Sequence, residues 1–388
     1  MSLVCAPHLV AAQSGDQFAG VPRALQPFVD RNELSGAVML VADKDRVLHR
    51  SAVGTSDVVT KRKMQTTDLF WIASMSKPIT AIAIAMLADD GKLAFDDPVE
   101  KHLPEFRGLW VSGNAAADQR TLVRATRPVT LRDLLTHVSG MGEYSITAPH
   151  WTLAEAARLA SREPLRFQPG AQWAYSTMAF DVLGRVVEVV SGMPFDTFLQ
   201  RRLFTPLAMH STTFWPTQEQ DRRSARNYNF DTLAHRLVPV TIKYMYGGAI
   251  TDRDRPPLGG AGLFSTADDI ATLYQMLLNG GTSHGHRILK RETVAEMTRN
   301  QTGDLRTRPG QVWGLGFCII DDPSQVEANS TLSRGSFGHG GAHGNHGWAD
   351  PTRGLVYVFM IQRGDLRNPD NSPMRRAYQD AVAAALAR

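Results

Sequence analysis

Two periodicities organise the chain. In "SGAVMLVADKDRVLHRSAVG" strand-like apolar runs over 38–42 and 47–52 flank the polar "DKDR", which predicts a β-hairpin. Residues 71–92, "WIASMSKPITAIAIAMLADDGK", are almost wholly apolar beyond their first turn and predict a long helix that Gly91 ends. "FDDPVEKHLPEF", rich in turn formers, and a polar irregular stretch over 107–127 follow. From Thr130 helical spacing returns in pieces. Thr130 can cap "LRDLLTHV", Thr152 can cap "LAEAARLASRE", and "DVLGRVVEVVSG" has helical apolar spacing closed by glycine. In "STADDIATLYQMLLNGG" Thr266 precedes Asp269 by three, the spacing of a capping box, and Gly280-Gly281 close the helix. Near the end "GLVYVFMIQ" is a strand by composition and "MRRAYQDAVAAALA" a helix, and no internal repeat is visible.

Strands, a helix, a long mostly helical middle, then strands and a helix again predict a sheet built from both chain ends with a helical domain inserted between them. We place a leader or signal remnant at 1–17, the sheet domain at 18–88 and 300–388, and the mostly helical domain at 89–299. The cleft between the two domains is where a pocket is expected.

Composition changes this picture little. Across 388 residues, 43% hydrophobic and 21% charged content is that of a globular chain with a substantial core. A net charge of +4 gives no reason to expect nucleic-acid binding, and pairs such as Arg201-Arg202 and Arg222-Arg223 read as solvated helix faces. Of the two cysteines, Cys5 lies near the start and Cys318 sits within the apolar "WGLGFCII", where it reads as a small core residue; no metal site can rest on them. No run approaches the ~18 apolar residues of a membrane span. The opening "MSLVCAPHLVAAQS" is mildly apolar and ends in small residues, but it lacks a basic start and His8 interrupts it. A trimmed export signal would imply a periplasmic or secreted protein and a disordered leader a cytoplasmic one; compartment and oligomeric state stay open.

Chemistry enters with Ser74 and Lys77, three apart and therefore on one face of the predicted helix. Serine is a weak nucleophile until a neighbouring base takes its proton. Lysine can be that base when burial or nearby positive charge lowers its pKa. The unpaired N–H groups of a helix start favour a developing negative charge, and Pro78 is tolerated in a first turn. An isolated S-x-x-K also describes a helix cap beside a surface lysine, so its company matters.

That company is "QPGAQWAYSTMAFDVLG", with Tyr175 just before a helix, "SFGHGGAHGNHGWADP", with His339-Gly340-Gly341 ahead of a strand, and "LLTHVSGM" and "GGAGLFSTADD" around them. In this order they resemble the serine β-lactamase and penicillin-binding-protein superfamily, and most of all its class C-like branch of D-alanyl-D-alanine peptidases and family VIII carboxylesterases. The likeness runs from about Gly36 to the C-terminal helix. It implies an α+β, β-lactamase/transpeptidase-like fold: an antiparallel sheet flanked by helices, with an inserted mostly helical domain and the active site in the cleft. It also implies that Ser74 is acylated, that Lys77 and Tyr175 exchange its proton, and that His339, Gly340 and Gly341 edge the substrate cleft. The N–H groups of Ser74 and Ala342 would form the oxyanion hole, where losing one donor costs ~2.7–4 kcal/mol. Side-chain-free glycines at 340 and 341 let substrate approach the strand closely. Two positions depart from the pattern. The second motif reads Tyr175-Ser176-Thr177, so the family's substrate-orienting asparagine is replaced by the shorter Thr177. The third has histidine where lysine is usual, which weakens a fixed positive site for a substrate carboxylate. Simple esters need neither contact.

Other motifs have plainer explanations. "G281-T-S283-H-G285" matches G-x-S-x-G, but it follows a helix instead of joining strand to helix. His339, His343 and His346 share a glycine-rich loop and not one helix face, which favours structural or substrate-lining roles over a metal. Ser76 adjoins Lys77 in sequence, and adjacent helix positions do not face each other. His137 is left out of the site as structural. Tyr144, Trp151, Tyr244, Tyr246 and Trp348 are candidate walls of an acyl pocket, Tyr144 and Trp348 foremost. The expectation is therefore a serine esterase acting on short-chain acyl esters, without metal or organic cofactor. The alternatives are a β-lactamase or D-alanyl-D-alanine carboxypeptidase and, from another class, a penicillin-binding sensor or silent binding protein. The partner is a small ester or β-lactam-like molecule.

Overall fold

Alternation along two strands explains the layers. In β1 (Gly36–Asp43), Val38, Leu40 and Ala42 enter one apolar cluster while Ala37, Met39 and Val41 enter the other. The period of two sends successive side chains to opposite faces, so a strand buried throughout must be covered on both sides. β8 (Leu355–Met360) behaves alike: Val356, Val358 and Met360 face one cluster and Leu355, Tyr357 and Phe359 the other. The computed structural model describes residues 17–113, 121–143, 151–242, 248–326 and 331–387.

β1 pairs with β2 (Val47–Asp57) in the expected hairpin, whose turn is closed by Asp43 Oδ1 accepting from the N–H groups of Asp45 and Arg46. β3 (Arg62–Lys63) extends that edge. The other edge of β1 pairs with β8, the last strand, and the sheet continues through β7 (His346–Asp350), β6 (Phe337–Gly340), β5 (Cys318–Ile320) and β4 (Gln311–Trp313). The eight strands run in the order β4-β5-β6-β7-β8-β1-β2-β3, every neighbouring pair antiparallel.

Helices α1 (Gly20–Asp30) and α5 (Pro373–Leu386) cover one face, through Val21 and Leu25 and through Tyr378 and Val382. Behind the other face lies α2 (Ser76–Asp89), buried at every position from Ser76 to Leu87. A helix apolar on all sides belongs inside a protein, and here it is the central axis. Gly91 follows it with φ 72. α3 (Met178–Ser191) packs on α2 and ends at left-handed Gly192, as its spacing predicts. Thr130 and Thr152 both form reciprocal capping boxes, with Asp133 and Glu155. At α4 (Ala267–Leu278) Thr266 accepts from the Asp269 N–H, but the Asp269 carboxylate turns to Ser211 and Thr212 and leaves the expected box half made. α4 belongs by sequence to the inserted segment and by packing to the sheet, where it lies on β1, β7 and β8. The G-x-S-x-G serine, Ser283, stands in a small hairpin turned by His284 and Gly285 and not at a strand-to-helix elbow. Among the described residues no helix is long and apolar enough to cross a membrane.

Candidate active site

The chain enters α2 through a tight turn. Ala73 has φ 47, a left-handed conformation that costs a non-glycine residue roughly 1–2 kcal/mol. Immediately after it, Ser74 occupies a 3-10 turn and is half-buried. Ser76, fully buried, donates to the Ala73 carbonyl at 2.7 Å and accepts from the Leu263 N–H at 3.1 Å, so both functions of its hydroxyl serve this turn.

Lys77, one turn along, is completely buried. Its Nζ lies 3.1 Å from Ser74 Oγ, 2.8 Å from the Gly260 carbonyl and 3.4 Å from Thr177 Oγ1, and 4.7 Å above the Tyr175 ring. Among the described residues no carboxylate bonds to it. Burial pulls its pKa down to about 7, with Glu143 and Asp181 opposing from a distance. Both carboxylates are tied to the surrounding backbone: Glu143 accepts from the Thr177 N–H at 2.6 Å and Asp181 from the Gly260 N–H at 2.9 Å.

The Tyr175 hydroxyl lies 3.5 Å from His339 Nε2, and Tyr175 lines the same cavity as Ser74. Burial pushes the phenol well above its ordinary range despite the nearby Ser74 hydroxyl, so it keeps its proton. His339, near the end of β6, is 2.6 Å through Nδ1 from the Gly340 carbonyl, which places the ring proton on Nδ1 and leaves Nε2 as acceptor. Burial, then repulsion by Lys77, lowers its pKa to about 3, and the imidazole is neutral in ordinary buffers. His137 stacks on Tyr175 at 4.4 Å and accepts the Ser176 N–H, fixing the tyrosine from behind.

Pairing of β5 with β6 stops at Gly338, so the strand runs on past His339 without a β5 partner and edges a cavity of about 170 Å³. Ser74, Tyr175, His339, Gly340, Gly341, Ala342 and Trp348 all line it. A Cβ on Gly341 would lie 2.6 Å from the Ile72 carbonyl, so only glycine lets the strand end close against the turn that carries Ser74. The N–H groups of Ser74 and Ala342 donate to no backbone acceptor among the described residues. Thr177 does not line the cavity; it is buried and directed at Lys77. Tyr144, Tyr244 and Tyr246 lie outside the described residues.

The cavity is also lined by residues that the motifs do not indicate: Arg308, Trp313, Cys318, Asp370 and Arg375. Arg308 donates to Asp370 Oδ2 at 2.6 Å, and Arg375 donates to the Asp370 carbonyl and lies over the Trp348 ring. Burial raises the Asp370 carboxyl, but His346, Arg308 and Arg375 outweigh it and hold it at about 2. A Cβ on Gly340 would meet Asp370 Oδ1 at 2.0 Å, so this glycine makes room for the carboxylate. The histidine in the third motif therefore does not leave the cavity without cations, as its sequence suggests; two guanidinium groups approach from elsewhere. Burial pushes the Cys318 thiol up to about 12, and it donates weakly to Gln311. Of the three histidines expected on one loop, His339 lies in β6 and His346 begins β7, and they turn to different partners: His343 to Asn227 and Gln362, and His346 Nε2 to the Pro369 carbonyl. Among the described residues no group of three or more His, Cys, Asp or Glu is placed to hold a metal ion.

A half-buried serine facing a buried lysine at the mouth of a central helix, beside the free end of a strand, defines a serine hydrolase on the β-lactamase/transpeptidase-like fold. Comparison with known proteins agrees. The profile described as Beta-lactamase matches residues 21–383, and the chain belongs to that family. It is 32% identical over 374 residues to Protein Rv1367c of Mycobacterium tuberculosis, covering 88% of this chain and 89% of that one. Esterase EstB of Burkholderia gladioli is 30% identical over 381 residues, with 90% and 91% covered. Among solved structures, EstCE1, "a hydrolase with promiscuous acyltransferase activity", superposes with a TM-score of 0.79 at 25% identity, over 95% of this chain and 98% of that one.

Proposed function

We propose that the protein hydrolyses short-chain carboxylic esters through an acyl-enzyme on Ser74. The observation that carries this is Lys77: fully buried, 3.1 Å from the serine oxygen, with a pKa brought down to about 7. A neutral amine has two N–H bonds and one lone pair. Gly260 O can only accept, and Thr177 Oγ1 is the second acceptor, so the lone pair is left for the Ser74 hydroxyl. Lys77 takes the proton as Ser74 attacks the ester carbonyl. The N–H groups of Ser74 and Ala342 receive the oxyanion. Tyr175, a protonated phenol between Ser74 and His339, passes a proton to the departing alcohol and is resupplied from Lys77. Water then repeats the sequence on the acyl-enzyme. Thr177, used on Lys77, offers no amide to orient a peptide or lactam, and the cavity is small beside the ~300–1,000 Å³ of drug-sized pockets. Esterase EstB, at 30% identity, supports the same substrate class.

Arg308 and Arg375 favour a second reading, β-lactamase or D-alanyl-D-alanine carboxypeptidase activity, because they offer positive charge to a substrate carboxylate. Hydrolysis of p-nitrophenyl butyrate and nitrocefin, measured side by side on the native protein and Ser74→Ala, decides between them. We expect ester turnover that disappears in the variant and little nitrocefin turnover. Faster nitrocefin hydrolysis would promote the second reading, and ester turnover surviving in Ser74→Ala would exclude the mechanism.

A further inference from the structure

The two N–H groups given to the oxyanion come from opposite ends of the sequence, and their spacing must be held by something other than chain connectivity. Asn345 bridges the two segments. It is fully buried. Its side-chain Nδ2 donates to the Trp71 carbonyl at 2.9 Å, three residues before Ser74, and its Oδ1 accepts from the Ile361 N–H at 3.1 Å. Its own carbonyl accepts from the Gly341 N–H at 2.7 Å, and the Gly344 N–H returns to the Gly341 carbonyl at 2.9 Å, closing the turn that presents Ala342. Where that turn meets the Ser74 segment, a Cβ on Gly341 would lie 2.6 Å from Ile72 O and 3.3 Å from Asn345 Cβ, so Gly341 sits closely between the Ser74 segment and Asn345.

A buried amide needs partners, and one satisfied on both ends is ordinarily a structural fixture. Two facts set Asn345 apart. The Trp71 carbonyl already receives a buried donor, Gln362 Nε2, at 3.0 Å, so Asn345 is not needed to satisfy it. Asn345 is also the residue that binds the Ser74 segment through its side chain and the Ala342 turn through its backbone.

We propose that Asn345 is a positioning residue for the oxyanion hole, setting the separation between the Ser74 and Ala342 N–H groups. The proposal rests on the reading that these two groups receive the oxyanion. Removing the clamp lets the Ala342 turn drift from the Ser74 turn. A misplacement of about 1 Å at a reacting centre can cost about 10²-fold, and losing a hole donor outright about 10²–10³-fold. The loss falls on the tetrahedral state, which carries the negative charge, and hardly on ground-state binding. Asn345→Asp adds a pH signature. Its carboxylate keeps the acceptor for Ile361 but presents no donor to the Trp71 carbonyl; protonation restores an O–H that can donate there. A carboxyl buried without a cation protonates more readily than a free one.

The test measures kcat and KM for p-nitrophenyl butyrate, per serine titrated with a fluorophosphonate, and the affinity for butylboronic acid, whose serine adduct is tetrahedral and anionic. It uses the full-length protein, Asn345→Ala and Asn345→Asp. We expect kcat to fall about 30-fold or more in Asn345→Ala, KM to change less than about threefold, and boronate affinity to fall in parallel with kcat. The ratio of Asn345→Asp to native kcat should rise as pH falls. Titrated variants with native kcat and native boronate affinity, whatever their melting temperature, overturn the proposal and leave the esterase reading standing. If the native protein binds boronate without turning over the ester, weaker binding by the Asn345 variants still supports the clamp while the esterase reading fails. If the native protein does neither, both fall. Should Asn345→Ala not fold, Asn345→Asp carries the test through its pH ratio, and a flat ratio overturns the proposal.

Discussion

Two cationic groups of this region behave oppositely. Lys77 is fully buried, and no carboxylate among the described residues bonds to it; its partners are a hydroxyl, a threonine and a carbonyl, and burial brings it down to about 7. Arg308 lines the cavity and is partly exposed; it also loses solvation, but Asp370 binds it directly and raises its pKa overall. An amine taken wholly out of water while its counter-charges stand back can give up its proton, whereas a guanidinium in contact with a carboxylate stays a fixed cation. Burial and the distance of the nearest carboxylate together separate the proposed proton acceptor from the scaffold.

The comparison breaks most completely if Lys77 is given a charge it cannot lose. Lys77→Arg keeps a cation at the site but removes the proposed base, and kcat for p-nitrophenyl butyrate should fall about 10³–10⁴-fold, read by steady-state kinetics against titrated serine. Lys77→Met tests the cost of the buried amine. A lysine with its folded pKa lowered to about 7 binds fewer protons than the unfolded chain between pH 7 and about 10.4. Its penalty is therefore in full force below pH 7 and is relieved as pH rises through that window. Lys77→Met should stabilise the protein by about 2–4 kcal/mol at pH 6 and by progressively less towards pH 10, measured by urea unfolding. Asp370→Asn leaves Arg308 without its carboxylate. Because the pair is partly exposed, the expected loss is about 1–2 kcal/mol, seen in the same unfolding experiment. The smallest change sharpens the comparison. Native kcat/KM should rise with pH and level off above an apparent pKa near 7, because the proposed mechanism runs through the neutral amine. Glu143→Gln removes a distant charge that supports protonated Lys77, so the rising limb moves to lower pH and activity at pH 6 increases about threefold.

What the sequence makes legible is what is local. The β1–β2 hairpin, the helix after Ser74, and the caps at Thr130, Thr152 and Thr266 depend on neighbours within a few positions. So does the facing of Ser74 and Lys77, which three-residue spacing dictates. What escapes it is assembled by topology. Arg308, Asp370 and Arg375 belong to no motif and meet only because β4 to β8 and α5 bring the cavity's lining together. Thr177 shows a subtler limit. Its shortness is visible in the letters, but its use as an acceptor for Lys77 depends on a rotamer and a 3.4 Å distance that spacing cannot supply. The half-made box at Thr266 is alike, since Asp269 finds Ser211 and Thr212, far away in the chain.

The pairing of β1 with β8 also sets a timetable. On the ribosome Ser74 and Lys77 are made within the first fifth of the chain, yet the strand that completes the edge of β1 ends at Met360. Until then the nascent hairpin exposes an unpaired edge, a template for wrong partners. Contacts so distant in sequence also close slowly. Ser74 and Lys77 are therefore made early and joined to the rest of the candidate site last: a chain halted before β8 holds the serine and lysine without the complete sheet that brings His339 and Ala342 to them.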